Sequence, residues 1–495
     1  MKTKLSSITL SLIALTGVAK ERPNLLVIFT DEQNFRTIGA YREQLSEDAA
    51  EPWGKGTSVD TPNLDFLAHN GALCTSFYSP APVSSPARSS FVSGFYPGKT
   101  HVVGNDILMN PEIETFAATL GKSGYATGYA GKWHLDGDDK PGWAPKRKFG
   151  FEDNRYMFNR GHDKVIKEKN GVPEMGVNAQ GKNLFASAAD EKTFTTDYLG
   201  DKTVDFIKAN SKKPFCYMVS IPDPHTPNTV RKPYDSKYAD QSFAIPASEG
   251  RGNLPEWLKK LGKVGNAKKG SLAHDPKGMA AYWGMVKCID DNVGKILEAL
   301  KAEGILDNTI IVFNSDHGDM LGEHGKDNKG IPFEGSAKVP FIVYYPDAIK
   351  AKTVMSYTMN SVDFTPTILS LMDVKSDIDY HGRDYSNILK TNSIPKGWNN
   401  TTISALGSWV MATDGRYKLI RSVTPAGFVE ENEPVLFDLK TDPLEMNNIF
   451  GGSKTKEIEK TLQKAIDDFY VTNWATSSGR DKKVVWSTSN KSVSK

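Results

Sequence analysis

The sequence predicts an α/β fold, with a large and mainly parallel sheet sandwiched by helices and a smaller C-terminal α+β domain. Three patterns predict it. Continuous apolar runs recur up to about residue 345, amphipathic segments of helical period separate them, and short strands joined by turns follow residue 395. Fully apolar strands are typical of parallel sheets covered on both faces, and their alternation with helices indicates a layered α/β domain.

The N-terminal segment has a different character from the rest of the chain. Lys2 and Lys4 precede an apolar run over residues 5–18, and residues 17–19 are small enough to form a cleavage site. This pattern is typical of a secretory signal peptide, and the run is too short to span a membrane. We therefore expect residues 1–19 to be removed and the protein to be exported, periplasmic or secreted, without membrane insertion.

Charge and cysteine content exclude several classes of protein. Removal of residues 1–19 deletes two of the 61 basic side chains and none of the 59 acidic ones, so the mature chain is neutral overall. A neutral chain has no global attraction for nucleic acid or anionic lipid, and an anion site must be a local cluster. The three cysteines lie far apart in apolar contexts, and we expect buried free thiols at Cys74, Cys216 and Cys288.

Residues 20–394 form the larger of the two predicted domains, the α/β domain. Apolar runs predict strands at 25–29, 215–221, 309–313 and 341–345. Apolar residues at spacings of three and four predict a helix over about 280–302 and another that begins near Ile113. The segments 135–195 and 226–275 are rich in Gly, Pro and charge, and are predicted to be long surface loops.

Residues 395–495 form the predicted smaller domain. Strands are expected over 408–423 and 435–439, with a turn at Thr413, Asp414 and Gly415. A helix over about 455–470 follows, and the polar tail rich in Lys and Ser is expected to be loose.

Acidic side chains follow two of the predicted strands where each strand ends. Asp31 and Glu32 end the first strand, and Asp316 and His317 end the strand that begins at residue 309. Ligand sites of parallel sheets lie at the carboxyl ends of the strands, so these side chains are expected to meet. One such pair would more often cap a helix, but two pairs that together hold three hard carboxylates and one borderline imidazole predict a Ca²⁺ or Mg²⁺ site.

A set of motifs spans most of the chain. Ser84 and Arg88 begin and end a Ser-x-Pro-x-Arg pattern, which taken alone is better explained as a turn that caps a helix. Further motifs follow in order: Gly131-Lys132-Trp133-His134, Asp223-Pro224-His225-Thr226-Pro227, the Ser315–Gly325 block, and Lys329 ahead of Glu334-Gly335. Over about residues 23–450 the chain resembles the type I sulfatases, the formylglycine-dependent enzymes of the alkaline phosphatase superfamily, in their serine form.

The resemblance implies a modified nucleophile and a metal ion. Ser84 would be oxidised to formylglycine by a serine-oxidising maturation enzyme, and the hydrated aldehyde would attack the sulfate ester. Ca²⁺, in preference to Mg²⁺, would be held by five groups: Asp31, Glu32, the modified Ser84, Asp316 and His317. The commonest family pattern has Asp where this chain has Glu32 and Asn where it has His317.

The resemblance also implies roles for the other motif residues. Arg88 would stabilise the nucleophile, and Lys132, His225 and Lys329 would surround the sulfate oxygens. Either His225 or Lys329 would protonate the leaving oxygen, and His134 would take a proton from the second hydroxyl of the hydrated aldehyde.

The substrate is predicted from loops outside these motifs. The segments 135–165 and 226–240 carry aromatic and basic side chains, and Arg147, Arg160 and Arg231 are expected to bind further sulfates of a sulfated glycan. The alternative is that they are ordinary solvated loop residues. A carrageenan-like marine galactan is the first expectation, followed by sulfated fucans or glycosaminoglycans.

Two other functions remain open at this point. A phosphonate monoester or phosphodiester hydrolase of the same superfamily can share the fold and the formylglycine. A non-catalytic glycan-binding relative would keep Ser84 unconverted.

Overall fold

The computed structural model of the chain describes residues 22–250, 252–263, 270–424, 430 and 432–469. The predicted signal peptide and the polar tail lie outside these ranges.

The strands are β1 (Asn24–Asp31), β2 (Ala72–Cys74), β3 (Phe77–Tyr78), β4 (Ala126–Lys132), β5 (Asp153–Phe158), β6 (Ile166–Lys169), β7 (Val172–Met175), β8 (Phe215–Pro224), β9 (Thr309–Ser315), β10 (Phe341–Tyr344), β11 (Thr353–Met355), β12 (Met359–Asn360), β13 (Thr402–Leu406), β14 (Trp409–Thr413), β15 (Tyr417–Ser422) and β16 (Val435–Asp438).

The α-helices range from single turns to 27 residues. They are α1 (Gly39–Arg42), α2 (Glu47–Ala50), α3 (Pro62–His69), α4 (Ser84–Ser93), α5 (Pro97–Thr100), α6 (Phe116–Lys122), α7 (Thr195–Asn210), α8 (Glu256–Lys259), α9 (Pro276–Ala302), α10 (Glu334–Ala337), α11 (Phe364–Leu371), α12 (Ser386–Thr391) and α13 (Lys456–Phe469).

The main sheet has eight strands in the order β11-β2-β10-β9-β1-β8-β4-β5. The central strand β1 is parallel to both neighbours, β8 and β9. Its side chains alternate between two apolar cores: Leu25, Val27 and Phe29 face one, and Leu26 and Ile28 face the other. The predicted large, mainly parallel sheet between helical layers is therefore confirmed.

Two local predictions about this domain need correction. The apolar run at 341–345 forms β10, which is antiparallel to both of its neighbours. The segment 135–195 is not only loop, because it contains the edge strand β5 and the hairpin of β6 and β7. These strands are rich in polar residues, so they lack the apolar pattern that identified the central strands.

The predicted helices are present, with shifted ends. The helix predicted at 280–302 is α9, which begins at Pro276 after the side chain of Asp275 caps the backbone N–H of Gly278. The helix expected near Ile113 begins at Phe116, because the Thr115 side chain caps its first turn.

The smaller C-terminal sheet is antiparallel, in the order β13-β14-β15-β16. The short strands predicted over 408–423 are β14 and β15, and the predicted turn at residues 413–415 separates them. Leu462, Ile466 and Phe469 of α13 share an apolar core with this sheet. The predicted boundary at residues 394 and 395 falls between α12 and β13.

The cysteines are three free thiols, all buried, as predicted. Within the described ranges, no helix combines the length and apolar content that crossing a membrane requires.

Candidate active site

Four neighbouring parallel strands deliver polar side chains to one edge of the main sheet. Asp31 ends β1, Lys132 ends β4, His225 follows β8 and Asp316 follows β9. These strands are adjacent in the sheet, so residues almost three hundred positions apart in sequence meet. The structure therefore brings together the side chains that the strand ends predicted.

Three carboxylates are buried at this edge. One oxygen of Asp316 (Oδ1) accepts hydrogen bonds from the backbone N–H groups of Glu32 at 3.1 Å and His317 at 2.9 Å, and the other accepts from Arg88 Nε at 2.9 Å. By contrast, Asp31 Oδ1 and Glu32 Oε1 accept no hydrogen bond from any described residue, and Glu32 Oε2 has ion contacts with His225 and Lys329 in place of a hydrogen bond. Buried carboxylate oxygens without partners are costly, so this arrangement calls for a cation.

His317 supplies a nitrogen donor to the same point. Its Nδ1 lies 3.1 Å from the carbonyl oxygen of the next residue, which places the ring hydrogen there and leaves Nε2 with a lone pair. Nε2 lies 3.2 Å from Ser84 Oγ, 3.3 Å from Asp316 Oδ1 and 3.7 Å from Asp31 Oδ1. These residues, with Glu32, fit an oxygen-preferring divalent cation.

The pKa values of the acidic residues reflect their crowding. Burial raises the pKa of Glu32 well above its ordinary value, and burial with the neighbouring Asp31 raises the pKa of Asp316 to about 6. Burial also acts to raise the pKa of Asp31, but Lys132, His225 and Arg88 together hold it well below its usual range. Three neighbouring side chains therefore offset the effect of burial on the pKa of Asp31. For Glu32, Lys329 opposes burial and the neighbouring carboxylates but does not offset them.

Ser84 is the first residue of α4 and its side chain does not cap the helix. A cap comes instead from another segment, because the backbone N–H of Ser85 donates to the side chain of Asn105 at 3.0 Å. The hydroxyl of Ser84 contacts His317. The alternative explanation of the Ser-x-Pro-x-Arg pattern, a serine that caps a helix, does not describe this residue.

Arg88 lies one helical turn after Ser84 and is fully enclosed. Its guanidinium donates to Asp316, to Asp31 Oδ2 at 3.2 Å, to the carbonyl oxygen of Lys132 at 2.8 Å and to Ser220 Oγ at 2.7 Å. These contacts link α4 to the ends of β1, β4, β8 and β9, so Arg88 fixes the position of Ser84 relative to the sheet.

Lys132 lies beside the acidic cluster, and the pKa of its ammonium group is lowered. Its ammonium is 2.5 Å from Asp31 Oδ2 and 2.8 Å from His162 Nε2. Burial lowers the pKa of Lys132 to about 8, although the neighbouring Asp31 opposes this effect.

His225 and Lys329 meet at Glu32. The Nε2 atom of His225 lies 3.1 Å, and the Nζ atom of Lys329 lies 3.4 Å, from the same oxygen of Glu32. The ring of His162 stacks on that of His225, with centroids 3.6 Å apart. The side chains of His225 and Lys329 are 14% and 15% exposed, so a ligand can reach them.

His134 belongs to a second hydrogen-bonded group. Its Nε2 lies 2.8 Å from Asp106 Oδ1, and Arg160 Nη1 lies 2.5 Å from the same oxygen. Hydrogen bonding to His134 lowers the pKa of Asp106 to about 2, and burial lowers the pKa of His134 to about 4. His134 is therefore neutral near pH 7, and because its Nε2 faces Asp106, its Nδ1 keeps a lone pair that no described residue uses.

Two of the three arginines predicted to bind distal sulfates are used elsewhere. The guanidinium of Arg147 donates to four backbone carbonyls between residues 109 and 113. Arg231 makes a bidentate ion pair with Asp197, at 2.7 and 3.0 Å, and is 4% exposed. Arg160 differs, because its side chain is 30% exposed and lies beside His134. We therefore keep only Arg160 as a glycan-binding candidate.

Sequence reasoning named His162 only as one of the side chains of the segment 135–165 and did not place it at the active site, and it missed Asp106. His162 lies in the predicted loop 135–165, where only its imidazole offered a signal, and Asp106 follows no apolar strand. Both reach the site through the packing of loops against strand ends, which periodicity does not reveal.

The comparisons with known proteins agree with this geometry. The family model described as Sulfatase matches residues 23–374, and the model described as N-sulphoglucosamine sulphohydrolase, C-terminal, matches residues 322–471. An ulvan-active sulfatase of Formosa agariphila is 28% identical, across 90% of this chain and 80% of that protein.

Solved structures share the fold. One, in complex with its substrate D-glucosamine-2-N,6-O-disulfate, has a TM-score of 0.72 and 22% identity, covering 94% of this chain and 100% of its own. The phosphonate monoester hydrolase of Agrobacterium radiobacter has a TM-score of 0.68 and 21% identity, covering 92% and 96%. At these identities the likeness shows the fold alone. Because the Sulfatase model spans most of the chain, this protein belongs to the sulfatase family of sulfuric ester hydrolases.

Proposed function

We propose that the protein hydrolyses sulfate esters of a sulfated polysaccharide, using a nucleophile made from Ser84. One observation carries the proposal. The hydroxyl of Ser84 contacts His317, whose ring lies beside the buried carboxylates of Asp31 and Asp316. Three cationic or basic groups gather at the same cluster, because Lys132 contacts Asp31 while His225 and Lys329 contact Glu32. Hydrolysis of a sulfate ester, whose negative charge is shared by three oxygens, needs both a nucleophile and several positive charges at one point.

We assign the acidic cluster to Ca²⁺, held by the oxygen donors Asp31, Glu32 and Asp316 with His317 and the modified Ser84. Hard carboxylate ligands favour this ion over softer metals, and the donor set includes no thiolate. When bound, the ion would supply positive charge that stabilises the nucleophile and a sulfate oxygen.

Oxidation of Ser84 to formylglycine by a serine-oxidising maturation enzyme would supply a hydrated aldehyde as the nucleophile. The position of Ser84 at the N-terminus of the ten-residue helix α4 favours negative charge on its oxygen. Arg88, held by Asp31 and Asp316, adds a fixed positive charge one turn away.

The remaining side chains have distinct tasks in this proposal. Lys132, His225 and Lys329 bind the sulfate oxygens, and His225 or Lys329 gives the leaving oxygen its proton. His134, neutral near pH 7, accepts a proton as sulfate departs. Water is consumed overall, and each sulfate ester yields one alcohol and one sulfate.

The first test compares two small substrates. The purified protein with converted Ser84 is expected to hydrolyse an aryl sulfate with a kcat/KM at least about tenfold above that for an aryl phosphonate monoester. The opposite ratio would assign the protein to the phosphonate hydrolases, and turnover of neither ester would favour a glycan-binding role.

The substrate is assigned less finely. The ulvan-active relative supports a polysaccharide, and the pattern of residues 1–19 supports export to where such polymers occur. A carrageenan-like galactan is the first candidate, with sulfated fucans and glycosaminoglycans next.

Arg160 is expected to bind a sulfate distal to the one that reacts. Arg160→Met should raise KM for the polysaccharide about tenfold and leave kcat/KM for a small aryl sulfate within about twofold, because the small ester does not reach that subsite. Steady-state kinetics on both substrates measure this difference.

Arg155 offers the matched control, because it is also exposed, lies five residues away and pairs with Asp153. Arg155→Met should change neither the KM for the polysaccharide nor the kcat/KM for the aryl sulfate. If Arg160→Met impairs both substrates equally, Arg160 acts through Asp106 and His134 rather than on the glycan.

A further inference from the structure

We propose that the C-terminal sheet positions Lys329, the lysine that contacts Glu32, through the lysine loop, which we define as residues 329–334. This inference rests on the proposed sulfatase function, because it assigns Lys329 to sulfate binding. The residues that act on the loop, Trp409, Lys418 and Glu445, lie about 80 to 115 positions later in the sequence.

Trp409, at the start of β14, holds the loop next to the lysine. Its indole N–H donates to the carbonyl oxygen of Gly330 at 3.0 Å, and the residue is 2% exposed. Gly330 directly follows Lys329, so this hydrogen bond restrains the 330–331 peptide group, one residue beyond the catalytic candidate.

Lys418, in β15, holds the other end of the loop. Its buried ammonium donates to the carbonyl oxygen of Pro332 at 3.1 Å, and lies 2.5 Å from Glu334 and 2.8 Å from Glu445. The second oxygen of Glu445 accepts the backbone N–H of Glu334 at 2.6 Å. Three residues of the loop therefore have hydrogen bonds to the C-terminal segment.

The catalytic domain restrains the same loop from its other side. Ser336 Oγ accepts the backbone N–H of Gly330 at 3.1 Å, and the side chain of Asp319 accepts that of Asn328 at 2.8 Å. The loop backbone thus has two sets of contacts, one from residues of the catalytic domain and one from the C-terminal segment. The ammonium of Lys329, at 3.4 Å from Glu32, extends from this restrained backbone.

The chemistry of these contacts favours a positioning role over a purely stabilising one. Burying a lysine with two carboxylates contributes little net stability, since desolvation offsets the attraction. Hydrogen bonds to the carbonyls of the loop instead fix its path, and binding groups require placement within about 0.5 Å. Trp409 and Lys418 touch no reacting atom, so they are positioning residues.

Trp409→Phe is the sharpest test, because it removes the indole N–H and keeps an aromatic ring in the core. We expect the dissociation constant for inorganic sulfate, measured by isothermal titration calorimetry, to rise about fivefold to tenfold. The kcat/KM for an aryl sulfate should fall by a similar factor. An unchanged sulfate affinity would overturn the inference.

Trp257→Phe provides a matched control. Trp257 also donates its indole N–H to a backbone carbonyl, that of Glu433, and packs against the same apolar cluster as Trp409. The Trp257→Phe substitution should lower the melting temperature without changing the affinity for inorganic sulfate. If both variants weaken sulfate binding equally, the effect is general destabilisation and the inference is wrong.

A double-mutant cycle tests whether Trp409 affects sulfate binding through Lys329. If Trp409 acts through Lys329, Trp409→Phe should cause no further loss of sulfate affinity in a Lys329→Ala background. Additive losses would contradict this route. Failure of the unaltered enzyme to hydrolyse any sulfate ester would instead contradict the proposed function.

Discussion

Replacing Ser84 with alanine is expected to abolish sulfate ester hydrolysis and leave the fold intact. The substitution removes the atom from which the nucleophile is made, so kcat should fall by about 10⁴-fold or more, as for other covalent nucleophiles. The structural cost should be about 1 kcal/mol, because Ser84 Oγ does not cap the helix and its hydrogen-bond partner among the described residues is His317. Steady-state kinetics and thermal melting separate the two effects.

Ser85→Ala is the matched control. Ser85 is adjacent and equally buried, and its Oγ has no partner among the described residues. This variant should retain wild-type activity. A Ser84→Ala enzyme that keeps a substantial fraction of wild-type kcat would show that the nucleophile has been assigned wrongly.

Removal of divalent metal is expected to stop turnover and lower the melting temperature together. Without a cation, Asp31, Glu32 and Asp316 form a buried acidic cluster in which Asp31 Oδ1 and Glu32 Oε1 have no hydrogen-bond partner among the described residues. A ligand at a hundred times its Kd stabilises a folded protein by about 2.7 kcal/mol, so melting with and without chelator should differ by several degrees. Added Ca²⁺ should restore both properties better than Mg²⁺.

Glu32→Gln sharpens the metal test. It keeps the size of the side chain and removes one negative charge, so it should raise the Ca²⁺ concentration needed for half-maximal thermal stabilisation. Glu323→Gln alters another buried carboxylate, which pairs with Arg36, and should leave that concentration unchanged. Full activity in excess chelator, with no metal found by elemental analysis, would remove the basis for the site.

The central sheet could be predicted because its strands are apolar along their whole length. Residues 25–29 are buried on both faces of the sheet, so their pattern reports burial directly. The site could be predicted as far as it depends on strand ends, because parallel strands carry Asp31, Lys132, His225 and Asp316 to one edge. Motif order then extended the prediction to Ser84, Arg88 and Lys329.

The parts that sequence did not reveal depend on partners distant in the chain. An arginine in a loop has the same local pattern whether it faces solvent or a buried carboxylate. Arg231 pairs with Asp197 in α7, and Arg147 donates to backbone carbonyls between residues 109 and 113. Tertiary packing alone decides which partner each arginine has. For the same reason, the hydrogen bond from Trp409 to the lysine loop has no signature in the local sequence.

The mass of the peptide that contains Ser84 tests the central claim most directly. Trypsin should release residues 56–88 from protein made together with a serine-oxidising maturation enzyme. Oxidation of the Ser84 hydroxymethyl group to an aldehyde removes two hydrogens, so the peptide should be about 2 Da lighter than the unmodified serine peptide. The hydrated form should be heavier than the aldehyde form by one water. An active enzyme whose peptide carries the unmodified serine mass throughout would contradict the account.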